Sequence, residues 1–292
     1  MRIVENLINA HLDHRRAYVD FRYVYPVISR RARGVSIGIN LNPDKKCNFN
    51  CIYCEVDRNN PVRRKGIDLD LLAQELRDML RIYQDGTLFT HEPFSQAPTS
   101  WRKLNDIAFS GNGEPTTCPV FEQAVEVAWQ VREENELETI KLILITNASC
   151  LDRPGVIRGL DRMQERPHEI WVKLDTGTSD YYKVINRSHV PYAWILRNIT
   201  RTACWCPLII QSLFQRVSDE PPSPSEIFAY ADRLNEIRRQ GGKILGLQLY
   251  TIARSTATHW STALSDEELN GIALMVKART GLPQQIFYGH VS

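Results

Sequence analysis

Apolar positions along this chain follow two alternating rhythms. Short runs rich in β-branched residues read as strands: GVSIGINL at Gly34–Leu41, DIAFS at Asp106–Ser110, IKLILIT at Ile140–Thr146, EIWVKL at Glu169–Leu174, LIIQSLF at Leu208–Phe214 and ILGLQLYTI at Ile244–Ile252. Between them the apolar residues recur at helical spacing. Leu69, Leu72, Leu76, Met79 and Leu80 share one face of Leu69–Tyr83, and the same period marks Val120–Glu133, Gly155–Gln164, Ser179–Ile185, Ala193–Thr202, Pro224–Arg239 and Asp266–Thr280. Strands and helices in turn predict parallel βα units. Gln285–Tyr288 reads as a weaker last strand, so the set falls short of a closed eight-stranded barrel. Thr87–Arg102 interrupts the scheme as a long irregular segment between a helix and the next strand, which places it at the bottom of a barrel and away from the chemistry. With no internal repeat and no low-complexity linker, the chain is expected to be an extension over residues 1–33 followed by one domain over residues 34–292.

Composition narrows the class. A chain of 292 residues buries roughly three quarters of its unfolded surface and needs neither disulfides nor a metal to stay folded. No apolar run approaches the roughly 18 residues of a membrane span, and the first twenty residues carry charges through their apolar positions, unlike a signal peptide. Seven cysteines at irregular spacings fit a reducing interior, so the expected location is the cytoplasm.

Three of those cysteines stand apart. Cys47, Cys51 and Cys54 lie in CNFNCIYC with CxxxCxxC spacing, and Tyr53 precedes the last. Iron–sulfur clusters are held by thiolates, and three thiolates leave one iron of a four-iron cubane without a protein ligand. An open coordination position marks a working metal site. A structural zinc site would need a fourth ligand, but no further Cys or His lies between Gly34 and Lys65, the nearest histidines being His14 and His91. A disulfide within so tight a loop would be strained. The loop follows the first predicted strand, and βα barrels carry their chemistry after the strand C-termini.

Other strand ends carry polar residues. After the second strand comes SGNGEPT, in which Gly111 and Gly113 allow close backbone approach and the Glu114 carboxylate can receive an ammonium; a plain tight turn would explain the same residues. Asp175, Thr176 or Thr178 after the fourth strand could simply cap the next helix, and a desolvated Lys173 could form a Schiff base. Cys204 and Cys206 read as small buried hydrophobes, and Cys118 or Cys150 as a hydrogen-atom donor or substrate ligand is the sharper alternative for that pair. His11 and His14 show no ligand spacing, while His259 follows the sixth strand, where a pocket would lie. The first 65 residues hold 13 Lys and Arg against 6 Asp and Glu, the rest 23 against 28. Arg30, Arg31, Arg33, Arg63, Arg64 and Lys65 thus form either a solvated surface or a basic rim for a phosphate-bearing or nucleic-acid substrate.

CNFNCIYC and SGNGEPT together resemble the motifs of the radical S-adenosylmethionine superfamily. With ITNAS, VKLDTGT, IQSLF and LQLYTIARS, the likeness over about residues 34–290 is to a bacterial branch related to the wyosine-type tRNA-modifying Fe–S oxidoreductases. The resemblance implies an α/β fold, a partial (β/α)6 TIM-like barrel. It implies a 4Fe–4S cluster on Cys47, Cys51 and Cys54, with S-adenosyl-L-methionine at the open iron. The cofactor pocket would comprise Tyr53, Gly111, Asn112, Gly113, Glu114, Pro115, Thr146, Asn147, Lys173 and Asp175. Glu114 would meet the methionyl amine and Lys173 its carboxylate. Asn112 replaces the first glycine of the family's Gly-Gly-Glu-Pro motif, and Asn tolerates positive φ better than most residues.

The implied enzyme cleaves S-adenosylmethionine reductively to a 5′-deoxyadenosyl radical that takes hydrogen from a substrate. The substrate class left open is a nucleoside, tRNA or phosphate-bearing small molecule; flavodoxin or ferredoxin would be the reductant, with no membrane partner. The wyosine enzymes carry a second cluster upstream, and the absence of cysteine before Cys47 speaks against their pyruvate condensation. The competing class is an RNA-binding module with a structural metal and no turnover. An electron-transfer protein would leave the Gly-Glu-Pro turn and the open iron unexplained.

Overall fold

The computed structural model describes residues 18, 20–29, 33–58 and 66–289. Two compact units interleave along the chain: Met1–Lys46, Val62–Leu144 and Pro154–Glu169 form the first, and Cys47–Pro61, Ile145–Arg153 and Ile170–Ser292 the second.

In the first unit, β1 (Val24–Ser29) pairs antiparallel with β2 (Gly34–Ile39). After helix α1 (Leu69–Gln84), β3 (Leu104–Phe109) runs parallel to β2. Helix α2 (Phe121–Glu134) then leads to β4 (Lys141–Thr146), parallel to β3, and to helix α3 (Pro154–Gln164). Apart from β1, these elements lie within two residues of the ranges that the pattern predicts. Helix α1 shows why. Asp68 caps it by accepting the Leu71 N–H at 3.0 Å, and Leu72, Leu76, Met79 and Leu80 on its apolar face are fully buried. Glu75 shares that face, and its carboxylate accepts the backbone N–H groups of Arg22, Tyr23 and Val24 at 2.7, 2.7 and 3.1 Å. A buried carboxylate requires such partners, and this one fixes the start of β1. Strand β1 was not anticipated from the pattern; it contains Pro26, which a strand accommodates at a sheet edge.

The 87–102 segment consists of three short 3₁₀ turns, Thr87–Thr90, Phe94–Gln96 and Thr99–Trp101. Arg102 braces them through the Ser95 and Ala97 carbonyls at 2.9 and 3.0 Å. Lys103 then accepts the Val35 N–H at 2.8 Å, so the segment ends beside the N-terminal end of β2, on the side that its chain position predicts.

The second unit holds most of β5 (His168–Lys173), then helices α4 (Ser179–Ile185) and α5 (Tyr192–Ala203), and β6 (Leu208–Leu213). Next come β7 (Gln215–Val217), α6 (Pro224–Arg239), β8 (Ile244–Tyr250), β9 (Ser261–Ala263), α7 (Asp266–Thr280) and β10 (Gln284–Phe287). Its parallel strands lie in the order β5, β6, β8, β10, so the weak terminal strand is real. Helix starts follow side-chain chemistry: Ser223 caps α6, and Ser265 with Glu268 forms a reciprocal capping box on α7. Strands β7 and β9 form a separate antiparallel ribbon, and at three residues each they are too short for alternation to reveal. Among the described residues, no helix is long and apolar enough to cross a membrane.

Candidate functional site

The cysteine loop is fixed chiefly through its backbone. The Asn50 and Ile52 N–H groups donate to the carbonyls of Asn186 and Ile185 at 3.1 and 2.9 Å, at the end of α4. From the chain after β8, Thr258 donates its hydroxyl to the Ile52 carbonyl at 2.8 Å, and the Ala257 N–H donates to the Cys54 carbonyl at 2.8 Å. Ser188 donates to the Asn48 carbonyl at 2.9 Å. Ile52 and Tyr53 bury their side chains with Ile185, Leu213 and Tyr250.

All three motif cysteines remain half-buried, and each sulfur receives an N–H group. Cys47 accepts from the Phe49 backbone at 3.5 Å, Cys51 from the Asn186 side-chain amide at 3.6 Å, and Cys54 from the Arg58 guanidinium at 3.3 Å. Donors of this kind favour negative charge on sulfur. Burial and the nearby Asp175 carboxylate push the Cys51 thiol up to about 12, with Lys173 and Asn186 opposing them. A thiol so placed gives up its proton readily only to a cationic metal. Among the described residues, no three His, Cys, Asp or Glu side chains already converge as a ligand group. The donor set nonetheless fits a thiolate-bound cluster in residue type, exposure and N–H support.

Asp175 lies behind the loop, buried, and its oxygens are engaged from three elements. It accepts from Tyr53 Oη at 2.5 Å, Asn186 Nδ2 at 3.0 Å and the Leu213 N–H at 3.0 Å. The residue that caps α4 is Thr178, through the Tyr181 N–H at 3.2 Å, and not Asp175 or Thr176. Lys173 donates to Tyr250 Oη at 2.9 Å and lies over the rings of Tyr53 and Tyr250 at 4.8 and 5.5 Å. Burial acts to lower its pKa, but Tyr250, Asp175 and Cys51 outweigh burial and hold the ammonium above the usual lysine range. A charged Lys173 is poorly suited to Schiff-base formation.

Thr146 and Asn147 close β4 with local bonds, Thr146 Oγ1 accepting the Ala148 N–H at 3.1 Å and Asn147 Oδ1 the Ser149 N–H at 3.0 Å. Asn147 Nδ2 also donates to Asn48 Oδ1 at 3.0 Å, and Asn48 Nδ2 to Ser149 Oγ at 2.7 Å. Cys47, Asn48, Phe49, Asn50, Ser149, Cys150 and Arg187 are among the residues lining an open cleft of about 760 Å³.

In the first unit, the loop after β3 is shaped by close approach. A Cβ on Gly111 would lie 2.4 Å from Asn40 Oδ1, and one on Gly113 would lie 2.0 Å from the Lys46 carbonyl. Asn40 Oδ1 accepts the Asn42 and Asn112 N–H groups at 3.0 and 3.1 Å. Neither Asn112 nor the two glycines adopts positive φ, so space, not handedness, explains the glycines. Glu114 is buried before Pro115, and its Oε1 accepts the Thr116 N–H at 3.1 Å and hydroxyl at 2.5 Å. Asn42 Oδ1, beside Gly113, is buried with no hydrogen-bond partner among the described residues, an acceptor suited to an amine.

Of the remaining candidates, Cys118, Cys150 and Cys206 are buried, whereas Cys204 is exposed, contrary to its reading as a buried hydrophobe. His259 is exposed and lines a second cleft of about 510 Å³ with Asp219 and Trp260. His11, His14, Arg30, Arg31, Arg63, Arg64 and Lys65 lie outside the described residues. Asn186, Arg58 and Tyr250 escaped the sequence reading, because each meets the site only through distant chain segments or a half-buried sulfur.

Comparison with known proteins supplies the family. The model of the Radical SAM superfamily matches residues 41–203. A UPF0026 protein of Helicobacter pylori is 30% identical over 254 residues, covering 84% of this chain and 70% of the relative. A Brachyspira hyodysenteriae protein named GTPase Obg is 22% identical over 261 residues, 84% of this chain; the chain spans only 32% of that relative's length. A structure of TYW1 with a lysine-pyruvate adduct bound matches with a TM-score of 0.56 and 15% identity, over 92% of this chain and 79% of that one. At that identity the likeness establishes the fold, an α/β partial (β/α)6 barrel. The family match takes in more than half of the chain, including both motif loops, and the protein therefore belongs to the radical SAM superfamily, enzymes that use a 4Fe–4S cluster and S-adenosyl-L-methionine.

Proposed function

We propose that Cys47, Cys51 and Cys54 ligate three irons of the cluster, that S-adenosyl-L-methionine occupies the fourth, and that the enzyme takes a hydrogen atom from a nucleoside, tRNA or phosphate-bearing small molecule. One observation carries this reading: the loop is fixed by its backbone while each of its three sulfurs receives an N–H donor. Bound together, the cluster and cofactor supply one-electron cleavage of the C5′–S bond.

The protein's own residues hold and orient. Glu114 receives the methionyl amine, with Asn42 Oδ1 as a second acceptor, while Gly111 and Gly113 keep the backbone close. Lys173, held as an ammonium, receives the carboxylate; that charge state argues against an adduct of the kind in the TYW1 structure. Asp175 acts through Tyr53 and Asn186, and Thr146 and Asn147 act through the turn that supports Asn48. Flavodoxin or ferredoxin supplies the electron. The cationic excess of the first 65 residues supports an anionic substrate.

Anaerobic reconstitution tests the assignment. The protein is expected to take up about four iron and four sulfide, to lose most of the iron on Cys47→Ala, Cys51→Ala or Cys54→Ala, and to keep it on Cys204→Ala. With dithionite it is expected to release 5′-deoxyadenosine slowly. A triple cysteine variant that retains a full cluster would sink the ligand assignment. Salt-dependent RNA binding without cubane absorbance or turnover would favour the binding module.

A further inference from the structure

The cleft beside Cys47 is more than a by-product of the loop. Arg153, Arg187 and His189 are exposed and line it, and its one acidic lining residue, Asp152, is paired with Arg197 at 3.5 Å. Trp194 stands 39% exposed at its edge with the Arg197 guanidinium 3.5 Å from its ring centroid. Arg187 continues the cationic surface, lying over the exposed Trp260 ring at 4.5 Å.

Arg187 is also strained. It follows the last turn of α4 with φ at 47°, a left-handed conformation that glycine adopts without cost and arginine does not. Side chains kept in such positions are retained against local stability, which turns attention to what the side chain does.

We propose that this cleft is the docking surface for an acidic one-electron carrier protein, flavodoxin or ferredoxin, that reduces the cluster. The proposal rests on the ligand assignment given above. Cys47 lines the cleft and would hold part of the cluster, so a carrier seated here would stand beside the group that it reduces. The transfer balances simply: the carrier is oxidised by one electron, the cluster reduced by one, and no bond forms. Electron-transfer encounters use small, weak interfaces steered by charge, and a shallow cationic cleft with a flat aromatic rim provides one. A nucleic acid would be drawn by the same charges, and the test separates the two.

The experiment uses the full-length, cluster-loaded protein. Flavodoxin binding is measured by calorimetry, and cluster reduction by stopped-flow bleaching with either flavodoxin hydroquinone or dithionite. The double variant Arg153→Glu/Arg187→Glu is expected to weaken flavodoxin binding at least ten-fold and to slow carrier-driven bleaching in proportion. Dithionite-driven bleaching should stay unchanged, because dithionite needs no docking site. Arg187→Gly separates docking from folding: it should raise Tm by relieving the strain and still weaken flavodoxin binding. Unchanged affinity and carrier-driven rate in the double variant would overturn the proposal. So would retained flavodoxin binding with lost binding of an RNA oligonucleotide, which would make the cleft a nucleic-acid surface. A wild-type protein that loads no cluster would remove the ligand assignment and this proposal with it, whereas one that loads and bleaches isolates any failure to docking.

Discussion

The loop from Ser110 to Thr117 is held by bonds reaching 2 to 85 positions along the chain, whereas the cysteine loop is tied to the rest of its unit by bonds reaching 99 to 209. The first is a problem of close approach. Glu114 and Thr116 bond each other, and two glycines let Asn40, Asn42 and Lys46 approach. The second is a problem of assembly, since its backbone groups find partners only once α4 and the chain after β8 are in place. Loop-closure entropy is borne by both loops and is somewhat larger for the second, whose ties span more of the chain. A loop shaped by close approach fails through its own atoms. An assembled loop fails when a residue far outside the motif is changed.

The largest effect expected from this contrast is at Gly113. A Cβ there would stand 2.0 Å from a backbone carbonyl and 2.8 Å from the Asn42 side chain, with no flexible side-chain end to move aside. Gly113→Ala is expected to cost about 2–4 kcal/mol in urea unfolding. Gly271 in α7 has nothing within 4 Å and no positive φ, so Gly271→Ala should be neutral or stabilise by about 0.5–1 kcal/mol. Equal stabilities for the two variants would show that close approach does not shape the first loop.

The same contrast decides what was legible in the sequence. Strands and helices were, because period and capping are local: Asp68, Ser223 and Ser265 stand where helices start. The Gly-Glu-Pro loop was legible as a motif, although its glycines serve proximity and Asn112 needs no positive φ. Asn186 was not, since nothing near the end of α4 announces that its amide bridges Asp175 and Cys51. Strands β7 and β9 were missed because three residues cannot display a period. Asp175 reads in the sequence as a strand-end cofactor contact or a helix cap, and only the partners Tyr53, Asn186 and Leu213 distinguish organiser from cap.

An intermediate effect is expected at Glu114, where local architecture and proposed ligand contact coincide. Glu114→Ala should weaken S-adenosylmethionine binding by roughly 1.5–3 kcal/mol, the range for a charged hydrogen-bond partner, while leaving the iron content intact. Glu114→Gln keeps an acceptor for Thr116 and loses the charge, so it should keep the fold's stability and still lose much of the affinity. Unchanged affinity in both variants, by calorimetry, would reduce the turn to a structural feature.

The smallest expected effect is the most discriminating. Thr258 donates to the Ile52 carbonyl across 206 positions, and Thr258→Val removes that one bond while preserving shape. The loss should be about 1 kcal/mol, which corresponds to roughly a five-fold change in an opening equilibrium. Ser261 also approaches the Ile52 carbonyl, at 3.4 Å, and would absorb part of the loss, so the effect should not exceed that figure. Thr117→Val removes two bonds from the loop after β3, the one donated to the Glu114 carbonyl at 2.7 Å and the one accepted from Asn42 Nδ2 at 3.2 Å. Thr117→Val should therefore lower the urea midpoint at least as much as Thr258→Val. They should differ in the release of iron to a chelator. Thr258→Val loosens the backbone between two cysteines and should hasten release by up to about five-fold, whereas Thr117→Val should leave it unchanged. Faster release in Thr117→Val, or none in Thr258→Val, would mean that the cysteine loop does not depend on its long-range ties.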